Sequence, residues 1–368
     1  MHLQIAIIVS FFGLCVTMPL FARYFAYSHM PTYWKILGFV LCLLVVVLPI
    51  FVSRNWADTY GKYFAVIEYT LYFIYTFAII LFSFTLIRDV FWVVGHLVKL
   101  LPNPLNPSLF DRVNLVTVLG TILCTFWALY QGIKIPEERH LTLSSPKITQ
   151  EKTIVVLSDL HISRTVAPSK IKAIVDKTNA IKPDLIVLAG DIIDDDPKAI
   201  HKTTQLLAKL QAPQGIYFVS GNHEFYIGYQ AAMEALAVLG FTPIDNQHVQ
   251  LDSDFYVVGT PDIRTTERFH TPSKLAENFE NIPNSAYTLF VSHSPTPLNL
   301  PFDLQVSGHT HGGQIFPFHF FSWIGNHRLL AGLYPKERIY ISRGAGQWGP
   351  QMRFLAPSEI SVIHLKKN

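Results

Sequence analysis

Four long apolar runs, almost free of charge, follow one another in the first third of the chain, over residues 3–20, 36–52, 64–87 and 115–130. In hydrocarbon every backbone N–H and C=O must be satisfied inside the segment, which leaves only helices and closed barrels. A helical crossing takes roughly 20 apolar residues, so the fourth run is short for the task. A single run of this kind also suits the core helix of a soluble protein. Four in succession, with Arg23, Lys35, Arg54, Lys62, Arg88 and Arg112 near their ends, point to an all-α transmembrane region of about four helices within residues 1–135. The first run has no basic residue before it and no small-residue cleavage pattern after it, so it is expected to be a span rather than a signal peptide. Residues 88–101 either extend the third run or lie along the interface.

With four crossings, Arg54, Lys62, Lys134, Arg139, Lys147 and Lys152 fall on one side and Arg23, Lys35, Arg88, Lys99 and Arg112 on the other. That balance gives no orientation bias and assigns no side to the C-terminal half. Composition agrees with a membrane protein: 50% of residues are hydrophobic and 15% charged, against about 25% charged in soluble domains. A net charge of +3 without a Lys/Arg block gives no footprint for nucleic acid. Cys15, Cys42 and Cys124 all lie in apolar runs, which rules out a disulfide framework or a thiolate zinc site in the rest of the chain.

The texture changes at about residue 152, after a polar stretch at 136–151 that contains Pro136 and Pro146 and reads as a linker. Short β-branched runs now alternate with helix-period segments. "TIVVLS" is followed by residues 168–180, where Ile171, Ile174 and Val175 share a helical face. "DLIVLAG" precedes residues 197–210, and "GIYFVSG" precedes residues 229–239. Such spacing is that of βαβ units. "FYVVGT", "YTLFVS", "LQVSG", "RIYIS" and "ISVIHL" supply further strands, and residues 152–368 read as one α/β domain.

Five strand ends deliver polar chemistry. Asp159 and His161 follow the first, Asp191 the second, Asn222 and His223 the third; His293 closes the fourth and His309 and His311 follow the fifth. In open α/β sheets the carboxyl ends of strands form the functional edge. Asp159 and His161 are two residues apart, as are His309 and His311, so on extended backbone each pair would point the same way. Gly190, Gly221 and Gly308 precede these residues and allow close backbone approach.

The series "DLH" at 159–161, "GD" at 190–191, "GNHE" at 221–224, "SH" at 292–293 and "GHTH" at 308–311 resembles the calcineurin-like metallophosphoesterase family, with every element present and in order. "GHTHGGQ", "AGLY" and "SRGAG" look like its bacterial membrane-anchored branch, whose members include enzymes similar to UDP-2,3-diacylglucosamine pyrophosphatases of lipid A synthesis. The resemblance covers residues 153–368 and leaves the apolar third outside it. It implies a two-sheet αββα sandwich and two divalent cations, manganese first, with iron, zinc or magnesium as other occupants. One cation would take Asp159, His161 and His311, the other Asn222, His293 and His309, and Asp191 would bridge them. A hydroxide held between the cations would attack phosphorus in line, while His223 protonates the leaving oxygen or stabilises the equatorial oxygens. Glu224 would orient His223 or be a surface carboxylate.

Asp194, Asp195 and Asp196 form an acidic run before a helix, which reads as solvated charge at a helix N-terminus. Arg343 and Arg353, near glycine-rich turns, are candidates for a substrate phosphate, with structural ion pairs as the other reading. The aromatic stretch at 315–325 would shape an apolar groove, touch a bilayer, or pack as a buried loop. These observations lead to an expected membrane-bound hydrolase, in the bacterial inner membrane by the resemblance, acting on a phosphate-containing and membrane-associated substrate. A generic phosphodiesterase or phosphoprotein phosphatase is the alternative within the same chemistry. A non-catalytic scaffold, or a regulatory domain on a transporter, is the alternative outside it.

Overall fold

The computed structural model describes residues 2–26, 31–52, 64–103, 107–268 and 274–368. Arg54 and Lys62, counted above near the apolar runs, lie outside the described residues. The chain divides into two compact units: one comprises residues 1–130, 315–317 and 349–354, and the other comprises 131–314, 318–348 and 355–368.

The first unit is helical: α1 (His2–Phe21), a short π-turn at Ala22–Ala26, α2 (Thr32–Val52), α3 (Phe64–Leu97) and α4 (Pro107–Ile133). Among the described residues, two stretches, Val66–Leu97 and Leu109–Ile133, are long and apolar enough to cross a membrane. The third apolar run continues unbroken into the segment after Arg88, so α3 absorbs it. Val16, Leu20, Val45, Ala78 and Leu81 form the unit's small buried core. One charged cluster pairs within the unit: Asp89 accepts from Arg23 at 3.1 Å and pairs with Arg88 at 2.7 Å, and Arg88 donates to Thr117 Oγ1 at 2.8 Å. Thr121 and Thr125 donate back to carbonyls one turn earlier, which hides each hydroxyl from apolar surroundings. Ile315 bridges Phe354, and Arg353 N–H donates to Ala128 O at 2.9 Å, so two late segments of the chain belong to this helical unit.

The second unit holds two six-stranded sheets. Their strands are β1 (Glu137–Ser145), β2 (Lys152–Leu157), β3 (Leu185–Ala189), β4 (Ile216–Val219), β5 (Thr242–Pro243), β6 (Gln247–Asp252), β7 (Phe255–Gly259), β8 (Tyr287–Val291), β9 (Leu304–Ser307), β10 (Gly332–Tyr334), β11 (Ile339–Ile341) and β12 (Glu359–Lys367). One sheet runs β1-β12-β2-β3-β4-β5 and the other β10-β11-β9-β8-β7-β6. Strands β2 to β5 are parallel to one another, as are β7, β8, β9 and β11. Side-chain alternation sorts the two faces of β2. Ile154 and Val156 enter the core between the sheets with Val187, Val257, Leu289 and Val306; Val155 and Leu157 face the helices with Ile171, Ile174 and Leu236. The α/β two-sheet sandwich preceded by a helical region is therefore the observed architecture.

One stretch differs from its sequence reading. Residues 137–145, placed in a linker by their polarity, form β1 and pair in parallel with β12 over nine residues. Glu137, Glu138, Arg139 and His140 are exposed there, so an edge strand with charged side chains looks like a connector in sequence. Leu289 is fully buried between the sheets, and Leu289→Ala is expected to destabilise the protein by about 2–5 kcal/mol. Denaturant unfolding of the purified full chain checks this; an unchanged midpoint would place Leu289 outside the cooperative core.

Candidate metal centre

Parallel strands β2, β3 and β4 of one sheet and β8 and β9 of the other finish just before the polar residues singled out above. The chain does not present them by extended alternation. Asp159, His161, Asp191, His309 and His311 all have positive φ, between 47° and 70°. Left-handed non-glycine residues cost of order 1–3 kcal/mol each and persist only where their surroundings over-determine them. Here Asp159 N–H donates to Gly190 O and His161 N–H to Asp191 O, each at 3.0 Å, while Leu160 between them is buried in the helix-side core. Gly190 has φ +82°, and a Cβ there would stand 2.6 Å from His293 Nδ1. A Cβ at Gly221 would collide with the Asp191 carboxylate.

These turns bring the seven residues of the motif series into linked groups. His161 Nε2 lies 3.0 Å from His311 Nε2, and Asp159 Oδ1 lies 3.4 Å from the same His311 nitrogen. His309 Nδ1 lies 3.0 Å from Asn222 Oδ1 and 3.3 Å from His293 Nε2. Asp191 Oδ2 stands between the groups, 3.1 Å from His293 Nε2 and 3.7 Å from His161 Nε2. Asp159, His161 and His311 could hold one ion, and Asp191, His293 and His309 another. Donor atoms about 3–3.5 Å apart match the edges of a coordination shell with bonds near 2.1 Å. The donors are carboxylate, imidazole and amide, without thiolate, which suits manganese, iron, zinc or magnesium-like ions.

Burial sets the electrostatics. Asp159 is fully buried, and desolvation pushes its carboxyl upward. Burial would raise Asp191 too, but the positive charge of His293 and His223 outweighs it and holds the carboxyl well below the usual carboxylate range. His309 is pushed down to about 4 by burial and by His293. Buried carboxylates facing imidazoles need compensating positive charge, which divalent cations supply.

Two acidic residues take roles that the sequence did not reveal. Glu224 is neither a surface carboxylate nor a partner of the His223 ring. It is completely buried and accepts four backbone N–H bonds, from Gly221 at 2.7 Å, Asp191 at 3.0 Å, Ile192 at 2.7 Å and Ile193 at 3.1 Å. Burial and Asp191 raise it to about 7. Asp194, read as solvated charge, faces His161 Nδ1 at 2.8 Å and His223 Nδ1 at 2.6 Å. Its spacing three residues after Asp191 was the available signal, masked by the two acids that follow. Asp195 behaves as expected of that run and pairs with Arg164.

His223 sits at the side of the cluster, with Nε2 4.0 Å from Asp191 Oδ2 and its ring edge-on to Trp348. Burial alone would lower its pKa, but Asp191 and Asp194 raise it to about 9. Arg343 packs over Gly312 in the histidine loop and pairs with Glu359 at 2.8 Å. Arg353 departs from its sequence reading: it is completely buried and belongs to the helical unit, so its guanidinium is not open to a substrate arriving from solvent.

Comparison with known proteins bears on the family. The family model described as calcineurin-like phosphoesterase matches residues 152–313. The chain is 28% identical to an uncharacterized metallophosphoesterase of Campylobacter jejuni, over 91% of this chain and 90% of that one. It is 30% identical to an uncharacterized metallophosphoesterase of Helicobacter pylori, over 66% of this chain and 68% of that one. A transmembrane protein with metallophosphoesterase domain from Bos taurus is 28% identical, over 74% of this chain and 65% of that one.

Glu224→Gln puts an amide NH2 against N–H donors and is expected to cost about 1–3 kcal/mol and to lower bound metal; unfolding and metal analysis of the purified variant check both. In the metal-free protein the His223 ring should titrate near 9. Asp194→Asn removes one of the two carboxylates that stabilise the imidazolium, so the titration moves to lower pH, as read by NMR of labelled histidine.

Proposed function

Since the chain belongs to the calcineurin-like metallophosphoesterase family, we propose that it is a membrane-anchored, binuclear enzyme that hydrolyses a phosphate ester or pyrophosphate on a lipid-linked substrate. The observation that carries the binuclear reading is Asp191 Oδ2, 3.1 Å from His293 Nε2 of one group and 3.7 Å from His161 Nε2 of the other. In this reading Asp159, His161 and His311 hold one cation, Asn222, His293 and His309 hold the second, and Asp191 serves both. Such cations supply Lewis-acid polarisation of the phosphoryl group and a lowered pKa for the attacking water; manganese is our first choice of metal.

The chain's own residues supply the rest. His223 has Nδ1 tied to Asp194, which leaves Nε2 to carry a proton toward the departing oxygen. The Asp194 carboxylate, 2.6 Å from Nδ1, favours the protonated form of that ring. Asp194 also faces His161 Nδ1 and thereby orients a ligand and the proton donor through one carboxylate. Arg343, partly exposed beside the histidine loop and paired with Glu359, would meet a phosphoryl oxygen in this reading.

Membrane anchoring is supported by two helices long and apolar enough to cross a bilayer and by the transmembrane relative. Tethering an active site to a bilayer raises the local concentration of lipid-borne phosphates. A pyrophosphate-linked lipid such as UDP-2,3-diacylglucosamine is the substrate class we carry forward.

Asp191→Ala is expected to abolish hydrolysis of bis-p-nitrophenyl phosphate and to lower bound metal. His223→Ala should lower turnover by about 10²–10⁴-fold, the usual contribution of a general acid, with metal content retained. Wild-type turnover in both variants with manganese present would remove the catalytic assignment.

A further inference from the structure

The aromatic stretch after the histidine loop forms a helix, α5 (Phe318–Gly325), with the sequence FHFFSWIG and no buried residue. Phe320 is 59% exposed, Phe321 56% and Ile324 55%. The opposite side of the helix grips the loop that carries His309 and His311. Ser322 Oγ donates to Thr310 O at 3.3 Å, and Gly313 lies so close to the His319 backbone that a Cβ would collide with it. A soluble protein would bury this apolar side or break it with charge, and here neither occurs.

The charge around the helix is one-sided. No Asp or Glu occurs between Asp303 and Glu337, a span that includes exposed Arg328 and Lys336. Arg328 lies 5.7 Å from the Trp323 ring. Aromatic side chains with nearby cations and without acids are suited to the headgroup layer of an anionic bilayer. The chain that leads into the helix points to the same occupant. Residues 315–317, which lead directly into the helix, belong to the apolar helical unit.

We propose that Phe318–Gly325 docks on the lipid surface, with Phe320, Phe321 and Ile324 in the acyl boundary. Its link to the Thr310 loop then holds the His309–His311 ligand turn at the level of lipid headgroups. The enzyme would thereby select phosphoesters presented by a bilayer over those free in water. The docking half of this proposal stands on the helix alone, and the selectivity half rests on the phosphoesterase reading of the site.

The test uses the full chain in nanodiscs containing anionic lipid. With Cys15, Cys42 and Cys124 replaced by alanine, nitroxides are placed through Phe321→Cys, Ile324→Cys and, as a control, Lys172→Cys. We expect the labels at 321 and 324 to meet oxygen more than a water-soluble nickel reagent, and the label at 172 to show the reverse. Labels at 321 and 324 as water-accessible as the control would overturn docking. Labels shielded from both reagents would also overturn it, because a protein partner or second copy would then cover the helix. The paired variant Phe320→Glu/Phe321→Glu should keep hydrolysis of bis-p-nitrophenyl phosphate while hydrolysis of a bilayer-borne pyrophosphate falls about tenfold or more, as loss of apolar insertion predicts. Equal retention of both activities overturns the selectivity. A wild-type protein inactive on the soluble diester would instead remove the phosphoesterase reading and leave the spin-label result to stand alone.

Discussion

Everything at the strand ends depends on one buried carboxylate. Glu224 gathers the N–H groups of Gly221, Asp191, Ile192 and Ile193, and so fastens the turn after β3 to the turn after β4. An unpaired carboxylate at that depth would be strongly destabilising; four oriented peptide dipoles compensate it. The same bonds hold Asp191 in its left-handed conformation, with the carboxylate aimed between two sets of imidazoles. The turns at Asp159 and Asp191 are thus held by hydrogen bonds of their own backbone, from Asp159 N–H to Gly190 O and from Asp191 N–H to Glu224. His309 N–H donates to the Asp159 carboxylate at 3.0 Å, so a side chain that would meet a cation also ties a strand end of one sheet to that of the other.

Much of this was legible in the amino-acid order because chemistry and topology coincide. Parallel strands with similar crossover lengths must place their carboxyl ends along one edge, so Asp159, Asp191, Asn222, His293 and His309 could be read as neighbours. Hydrophobic period located helix Pro168–Ala180 with its actual bounds. What escaped was whatever lacked a pattern of its own. Glu224 is bound by backbone amides, which every residue has, so nothing beside it in sequence announces the bond. Asp194 hides in a run of three acids, and only the fold separates it from Asp195 and Asp196. The left-handed turns were missed because alternation is a property of extended chain, and the ligand pairs lie just beyond it.

The helical unit shows a similar division. Apolar length made α3 evident, whereas α4, read from residues 115–130 as short for a crossing, extends over Pro107–Ile133. The ion pair of Asp89 with Arg23 joins segments 66 positions apart and belongs to packing alone. The late segments 315–317 and 349–354, which return to this unit, carry no hydropathy that distinguishes them from loops of a soluble sheet.

The parallel pairing of β1 with β12 imposes an order in time. His140 on the first strand and its stacked neighbour His364 are 224 positions apart. At a synthesis rate of about 5–20 residues per second, the ribosome needs roughly 10–45 s to deliver the partner. Through that interval β1 trails from α4 as a naked edge, and the Glu137, Glu138, Arg139 and His140 charges keep it from recruiting another nascent chain. Closure of the sheet is consequently a late event, completed by a strand that has to find the oldest part of the unit.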